Sequence, residues 1–361
     1  MPKTVVIAGG GIIGASIAWH LARRGAAVTL IEKAKPAAGA TGDSFAWINA
    51  TFSKQPREYY ELNVQGIAAW RRLERDMQTP LEIQWGGSVQ WYADELDASE
   101  LREGVARHQS WGYSTSFIDE PELKRLLPGI DPGQVSTAAF SDQEGTLDPV
   151  AATNTLLAEA KQSGAIVHHP SEVIGLNLTS GRVTSVVTTQ GTLEADVLVV
   201  ACGTGTPHVA AMAGVHVPLK DSPGVLAHTA PQPRLLHRLA LGPASHIKQD
   251  ASGRIIAGDN FAGSDGLDAT HNKGQHLLDH AARYVTRMQT KVERVSLGWR
   301  VMPQDEFPIM GFTAQCPNLY VVATHSGITL AALFGEYATA EILDDATIGL
   351  LNPYRLSRFC A

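Results

Sequence analysis

Cysteine is scarce in this chain. Three occur in 361 residues, Cys202, Cys316 and Cys360, and no two form a C-x-x-C pair. An odd number of isolated thiols excludes a disulfide framework or a thiolate metal cluster and fits a reducing cytoplasm. Long apolar runs are also missing, and no stretch of about eighteen residues is apolar enough to span a bilayer. The first strand begins at about Thr4, which leaves no room for a signal peptide. The expectation is a soluble cytoplasmic protein, with peripheral contact at the inner face of a membrane left open. Positive charge is in deficit: the formal net charge is −7, and Lys and Arg are scattered. Nucleic acid is therefore excluded as a partner, for want of a continuous basic footprint. The sequence has no G-x-S-x-G, no G-x-x-x-x-G-K and no pair of catalytic carboxylates. Hydrolysis and phosphoryl transfer lack residues to run them, so the chemistry must come from a cofactor.

What the chain does carry stands at its N-terminus. An apolar strand, Thr4 to Ala8, runs into Gly9-Gly10-Gly11-Ile12-Ile13-Gly14, then a helical stretch to Arg24, then Val28 to Ile31 ending in Glu32. Gly9 allows a tight turn out of the strand, Gly11 lets backbone approach a pyrophosphate, and Gly14 lets the helix pack close to the sheet. The N–H groups at Ile12 and Ile13 and the positive end of the helix dipole would hold the phosphates without a basic side chain. Glu32 suits ribose hydroxyls and would repel a 2′-phosphate, which argues against NADP. Lys33, with Thr41 and Ser44 in the Gly- and Ala-rich loop 37–44, completes the set of candidate contacts from this unit. The segment Phe45 to Phe52, rich in aromatic and amide side chains, suits a ligand wall, with Trp47 and Asn49 as candidates to line it.

The α/β pattern is interrupted and then resumes. Helical spacing covers 58–76, strands broken at Gly86-Gly87 cover 83–92, and short polar helices fill 99–127. A helix over 150–163, then strands at 165–168, 173–178, 183–188 and 195–201, restore the α/β pattern. Strands at 225–229, 244–249 and 254–259 follow, with an amphipathic helix over 273–289. The strand 319–323 and the helix 328–344 close the chain. This predicts an α/β protein, α+β overall. A Rossmann-like cofactor domain comes in three pieces, 1–82, 146–216 and 298–361. The inserted substrate domain, 83–145 and 217–297, is built on a mostly antiparallel sheet. His276 and His280 share a helix face near His271, but no acid or cysteine cluster accompanies them, so no metal site is expected.

Several segments, in this order, resemble the FAD-dependent D-amino-acid oxidase family in its broad sense, which holds glycine oxidase, sarcosine oxidase and D-amino-acid dehydrogenases. They are the N-terminal unit, Gly145-Thr146-Leu147-Asp148-Pro149, the strand 197–201 with Gly203, Gly298-Trp299-Arg300-Val301-Met302-Pro303, residues 305–311 and Ala323-Thr324-His325-Ser326-Gly327-Ile328-Thr329-Leu330. The resemblance implies FAD, with Val173 near the adenine and Gly203 close to the cofactor. Gly327, Ile328 and Thr329 would start a helix that faces the flavin pyrimidine carbonyl. It implies that Arg300 grips a substrate carboxylate, while His325 stands beside the flavin-facing helix. Tyr59, Tyr60 and Tyr92 are candidates to roof the pocket. No cysteine falls in Gly298 to Arg300, so the FAD is expected to be non-covalent.

The implied activity is oxidation of the C–N bond of a D-amino acid, N-alkyl glycine or cyclic imino acid, by hydride transfer to flavin N5. An imine and then an oxo acid would result. Residues 259–265 hold no lysine where oxidases of this kind place one, although Lys248 is near in sequence. The electron acceptor therefore stays open between oxygen and a quinone or carrier protein. A flavin monooxygenase and a non-catalytic FAD-binding assembly protein are the alternatives.

Overall fold

The computed structural model describes residues 2–51, 53–259 and 268–359. Two large sheets organise it. The six-stranded sheet runs Ile309–Phe312, Leu319–Ala323, Val197–Val200, Thr4–Ala8, Ala27–Ile31, Ile166–His168. All its pairings are parallel except that of Ile309–Phe312 with Leu319–Ala323. The central strand Thr4–Ala8 is buried on both faces, as a covered parallel sheet requires. Val5 and Ile7 join a helical layer built from Ile12–Arg23, Arg57–Asp76, Pro149–Gln162 and Gly327–Leu343, while Val6 and Ala8 join a second core. That second core is closed by Val183 and Val186 of a three-stranded antiparallel sheet.

The eight-stranded sheet is antiparallel except where Leu239–Gly242 runs parallel to Ser88–Tyr92. It combines strands from 88–141 and from 223–299, so its strand Val292–Trp299 continues two residues past position 297. The helix His271–Ala282 packs Leu277, Leu278 and Ala281 into its core.

Three local expectations fail. Ile83 to Trp85 do not form a strand: Gln84 makes one bridge to Thr146, and Gly87 at φ +78° turns the chain before Ser88–Tyr92 begins. The stretch 99–127 is not purely helical, because Thr115–Ile118, rich in β-formers, adds an edge strand against Thr137–Ser141. The helix expected to reach residue 289 stops at Ala282, after which Val285 and Met288 turn back into the core.

The glycine-rich turn is fixed by sterics. A Cβ on Gly14 would lie 2.0 Å from the Gly9 carbonyl oxygen, and Gly9 itself is at φ +112° against the Ala201 carbonyl. Replacing Gly14 by Ala should therefore push the Ile12–Arg23 helix off the sheet. The expected cost is about 1–3 kcal/mol of stability, with loss of bound cofactor. Thermal melts and the flavin content of the purified protein check this. A Gly14→Ala protein that melts and retains flavin like the wild type would overturn it.

Candidate active site

The parallel strands end side by side at Ala8, Ile31, Val200 and Ala323, and a cavity of about 570 Å³ opens beyond them. This is the carboxyl edge of a doubly wound sheet, where such folds bind ligands. The strand ends and the loops after them supply Gly9, Gly11, Ile12, Ile13, Glu32, Lys33, Val173 and Gly203. The loop after the second strand supplies Thr41, Ser44, Trp47, Asn49 and Lys54, and the last helix supplies Gly327, Ile328 and Thr329. From the eight-stranded sheet come Gly224, Leu226 and His246, with Arg300 just beyond its last strand and His325 opposite.

The lining fits a dinucleotide. A Cβ on Gly11 would meet only Thr41 Oγ1, at 3.1 Å, and one on Gly327 would meet nothing within 4 Å. Gly327 faces open space, and only the Thr41 hydroxyl crowds Gly11. Neither of the two helices that begin there is capped by its own N-cap side chain, although Thr41 Oγ1 accepts the Ile12 N–H at 3.1 Å. Such helix starts present N–H groups and positive dipole ends to acceptor oxygens. Glu32 also has a structural duty, accepting the N–H groups of Gly10 and Ala34 at 2.8 Å each. A carboxylate has about four lone-pair sites, so ribose hydroxyls can share it. Gly14 does not line the cavity but packs beneath Gly9.

Arg300 and His325, forecast as the reactive end, face the same cavity. The Arg300 guanidinium lies across Gly224, and its Nη1 donates to the Pro223 carbonyl at 2.6 Å. Burial draws its pKa down from the usual guanidinium value. Burial, with the neighbouring Lys54 and Arg300 cations, depresses His325 to about 3, so its imidazole is neutral at physiological pH.

Other candidates stand elsewhere. Tyr92 is not part of the lining: its hydroxyl accepts from Gln90 at 2.8 Å, and its ring packs on Leu101, Val105 and Ala139. Tyr59 and Tyr60 do not roof the pocket either. Tyr59 OH is hydrogen-bonded to Ser326 Oγ at 2.6 Å, and Tyr60 is buried among His108, Trp111 and Tyr113. Lys248 points away into the protein, donating to Thr146 Oγ1 and the Leu147 carbonyl. Asn260 to Asp265 and the residues Phe52 and Cys360 lie outside the described residues. Cys316 is buried away from the cavity, and Cys202 lines it with a thiol that burial raises to about 12. Among the described residues no group of three His, Cys, Asp or Glu could hold a metal, and no helix is long and apolar enough to cross a membrane.

Two site residues escaped the sequence reading. Lys54, 5% exposed, lines the cavity and donates from Nζ to Ser326 Oγ at 2.7 Å. Glu144, fully buried, accepts from Trp47 Nε1, Ser88 Oγ and Tyr113 OH at 2.7 Å each and from the Ala50 N–H at 3.3 Å. Both are charged residues between elements, where hydrophobic periodicity has nothing to register.

A model of the family described as FAD dependent oxidoreductase matches residues 4–341. The chain belongs to this family. Its cofactor is therefore FAD. Human mitochondrial dimethylglycine dehydrogenase is 27% identical over 219 residues, which are 60% of this chain and 25% of that protein. The chain therefore spans about a quarter of that relative's length. The uncharacterized oxidoreductase YurR of Bacillus subtilis is 27% identical, with 98% of each chain covered. Glycine oxidase from Geobacillus kaustophilus has the same fold, with a TM-score of 0.89 over 99% of both chains at 21% identity.

Buried imidazoles lead to an expected dependence of stability on pH. Burial depresses His108, His228 and His246 to about 4 and His325 to about 3, against 6.5 for an ordinary imidazole. Between those values the unfolded chain binds more protons, so stability rises with pH there. Glu144 opposes them, since burial raises its carboxyl from 4.5 to about 7 and the folded state holds its proton longer. Burial lowers His20 and His280 as well, and among the described carboxyls only Asp43 is raised besides Glu144, so the imidazoles outweigh the carboxyls. The Tm should climb as pH rises from 4.5 to 6.5, and a flat or falling Tm over that interval would count against buried neutral imidazoles.

Proposed function

We propose that this FAD-dependent oxidoreductase oxidises the C–N bond of a small amino acid or secondary amine, a D-amino acid, N-alkyl glycine or cyclic imino acid. An imine forms, and water hydrolyses it to an oxo acid and an amine. The observation that carries the proposal is the placement of Arg300 on the same cavity as the start of the last helix. Relatives named for dimethylglycine and glycine support the substrate class. Bound FAD, held without a covalent link, supplies the hydride acceptor at N5. The chain itself supplies binding, orientation and a dry wall.

In this reading Arg300 holds the substrate carboxylate through a guanidinium fork, in surroundings where a charged pair is strengthened by burial. The wall made by Trp47, Leu226 and His246 excludes water from the carbon that loses hydrogen. His325 offers a neutral ring for hydrogen bonding to the substrate. With a pKa near 3 it is too weak a base to take the proton of an amino group. The amine must reach the cavity unprotonated, having lost its proton to solvent, and the rate should rise with pH through the amine's own pKa. The reaction belongs in the cytoplasm, with oxygen or a quinone or carrier protein taking the electrons.

Anaerobic mixing of the holoenzyme with D-amino acids, proline analogues and N-alkyl glycines tests the proposal. One class should bleach the flavin absorbance, and recovery of colour in air would mark an oxidase. Bleaching by no amine would sink the reading in favour of a monooxygenase or a non-catalytic FAD protein. Arg300→Ala should lower kcat/KM for a carboxylate substrate about a hundredfold, from a loss of about 3 kcal/mol, mostly through KM. An unchanged KM would remove Arg300 from this role.

A further inference from the structure

Besides Lys33, two cationic side chains on separate elements line the cavity. Arg300 comes from the edge of the eight-stranded sheet, and Lys54 from the loop before the helix Arg57–Asp76. Lys54 is held rigidly for a lysine. Its backbone N–H donates to the Thr51 carbonyl at 2.7 Å, and its carbonyl lies 3.2 Å from His108 Nε2. Its ammonium donates to Ser326 Oγ, which Tyr59 OH holds in turn, and it stands 5.3 Å from the Tyr59 ring centroid. Ser326 is the N-cap residue of the last helix, next to His325. The ammonium therefore sits at the positive end of that helix, facing the cavity that Arg300 faces. A cation kept in a low-dielectric wall, beside a helix start, favours an anion in the space before it.

We propose that Lys54 is a second carboxylate subsite, so that the substrate is a diacid: a secondary amine with one carboxylate held by Arg300 and another, on the far side of the nitrogen, held by Lys54. This rests on the amine-oxidation reading and narrows its substrate class to N-(carboxyalkyl) amino acids. The depressed pKa of His325, to which both cations contribute, supports their sharing one region. In the reaction, the C–H electron pair and hydrogen pass to the enzyme's FAD, the N–H proton goes to solvent, and water adds across the resulting C=N bond. An oxo acid and a primary amino acid leave. Both products keep a carboxylate.

The test titrates the holoenzyme with unreactive acetate, malonate, succinate and glutarate, following the flavin absorbance, in wild type, Lys54→Met and Lys54→Arg. At least one diacid should bind wild type about tenfold more tightly than acetate, as a charge-assisted hydrogen bond gives. Lys54→Met should bring that ratio to near one with the acetate Kd unchanged, and Lys54→Arg should restore part of it. A ratio that is the same in wild type and Lys54→Met overturns the subsite. So does an equal loss of acetate and diacid binding, which would make Lys54 a support of the cofactor or of the wall. Because binding needs no turnover, the two readings fail separately. Diacid preference without bleaching by any amine would refute the oxidation, and bleaching by amines without diacid preference would refute the subsite.

Discussion

Everything in the cavity depends on how the eight-stranded sheet is held against the FAD-binding sheet, and one carboxylate does much of the holding. Glu144 draws four donors: Ser88 on the eight-stranded sheet, Tyr113 after the helix Glu95–Ser110, Trp47 on the cavity wall and the N–H of the buried Ala50. The two-residue pairing of Trp47–Ile48 with Gly145–Thr146 lies beside it. Burial raises its pKa to about 7, while these same hydrogen bonds pull it down. Removing an acceptor that serves several buried donors leaves each with a desolvation penalty of about 1–3 kcal/mol. Glu144 is thus a structural acid, committed to its donors and not to chemistry. From it the constraint passes along the wall: Thr329 Oγ1 accepts from the Asn49 N–H and donates to the Trp47 carbonyl, each at 3.2 Å. The wall and the start of the last helix therefore move as one piece.

The two ends of the cavity recognise by different means. In the proposed function the dinucleotide end uses backbone, bare glycines and helix starts, so its specificity resides in shape and in positions where a side chain would collide. The end that Arg300, Lys54 and His325 line presents side chains instead. Burial first, and the Lys54 and Arg300 cations second, hold the His325 imidazole neutral, so it adds no third positive charge. A chain with a formal charge of −7 thus carries a local positive field where an anionic substrate would sit.

Much of this was legible in the sequence, and the limits have physical causes. The βαβ unit could be read because strand, glycines, helix and acid follow in one continuous stretch, and each has a local reason. Arg300 and the helix at Gly327 were found through family resemblance, and the structure brings both onto the cavity that the N-terminal unit lines, hundreds of residues earlier in the chain. Tyr92 was misplaced because strand alternation gives two faces without saying which one the cavity takes. The short strand Leu239–Gly242 went unseen, since its four residues, all buried, show no alternation. Lys54 and Glu144 were invisible because a buried charge is defined by its partners. Those partners, Ser326, Trp47, Ser88 and Tyr113, lie from 31 to 272 positions away in the chain.

Arg300, which we propose as the carboxylate clamp, shows how the placement of one side chain can depend on a residue with none. Its Nη2 lies 2.6 Å from the point where a Cβ on Gly224 would stand, so the guanidinium can lie flat on the strand only because position 224 is glycine. Pro223 contributes the carbonyl that receives Nη1. Its own missing N–H costs nothing to the neighbouring ladder at the strand's first residue, where proline is tolerated. The pair Pro223-Gly224 reads as a weak start to a strand when propensity alone is considered. In the fold it is a seat for the arginine: the proline ends the ladder, the glycine clears the space, and a carbonyl fixes one edge of the fork. The placement of the charge at position 300 is therefore set as much by what position 224 lacks as by the arginine itself.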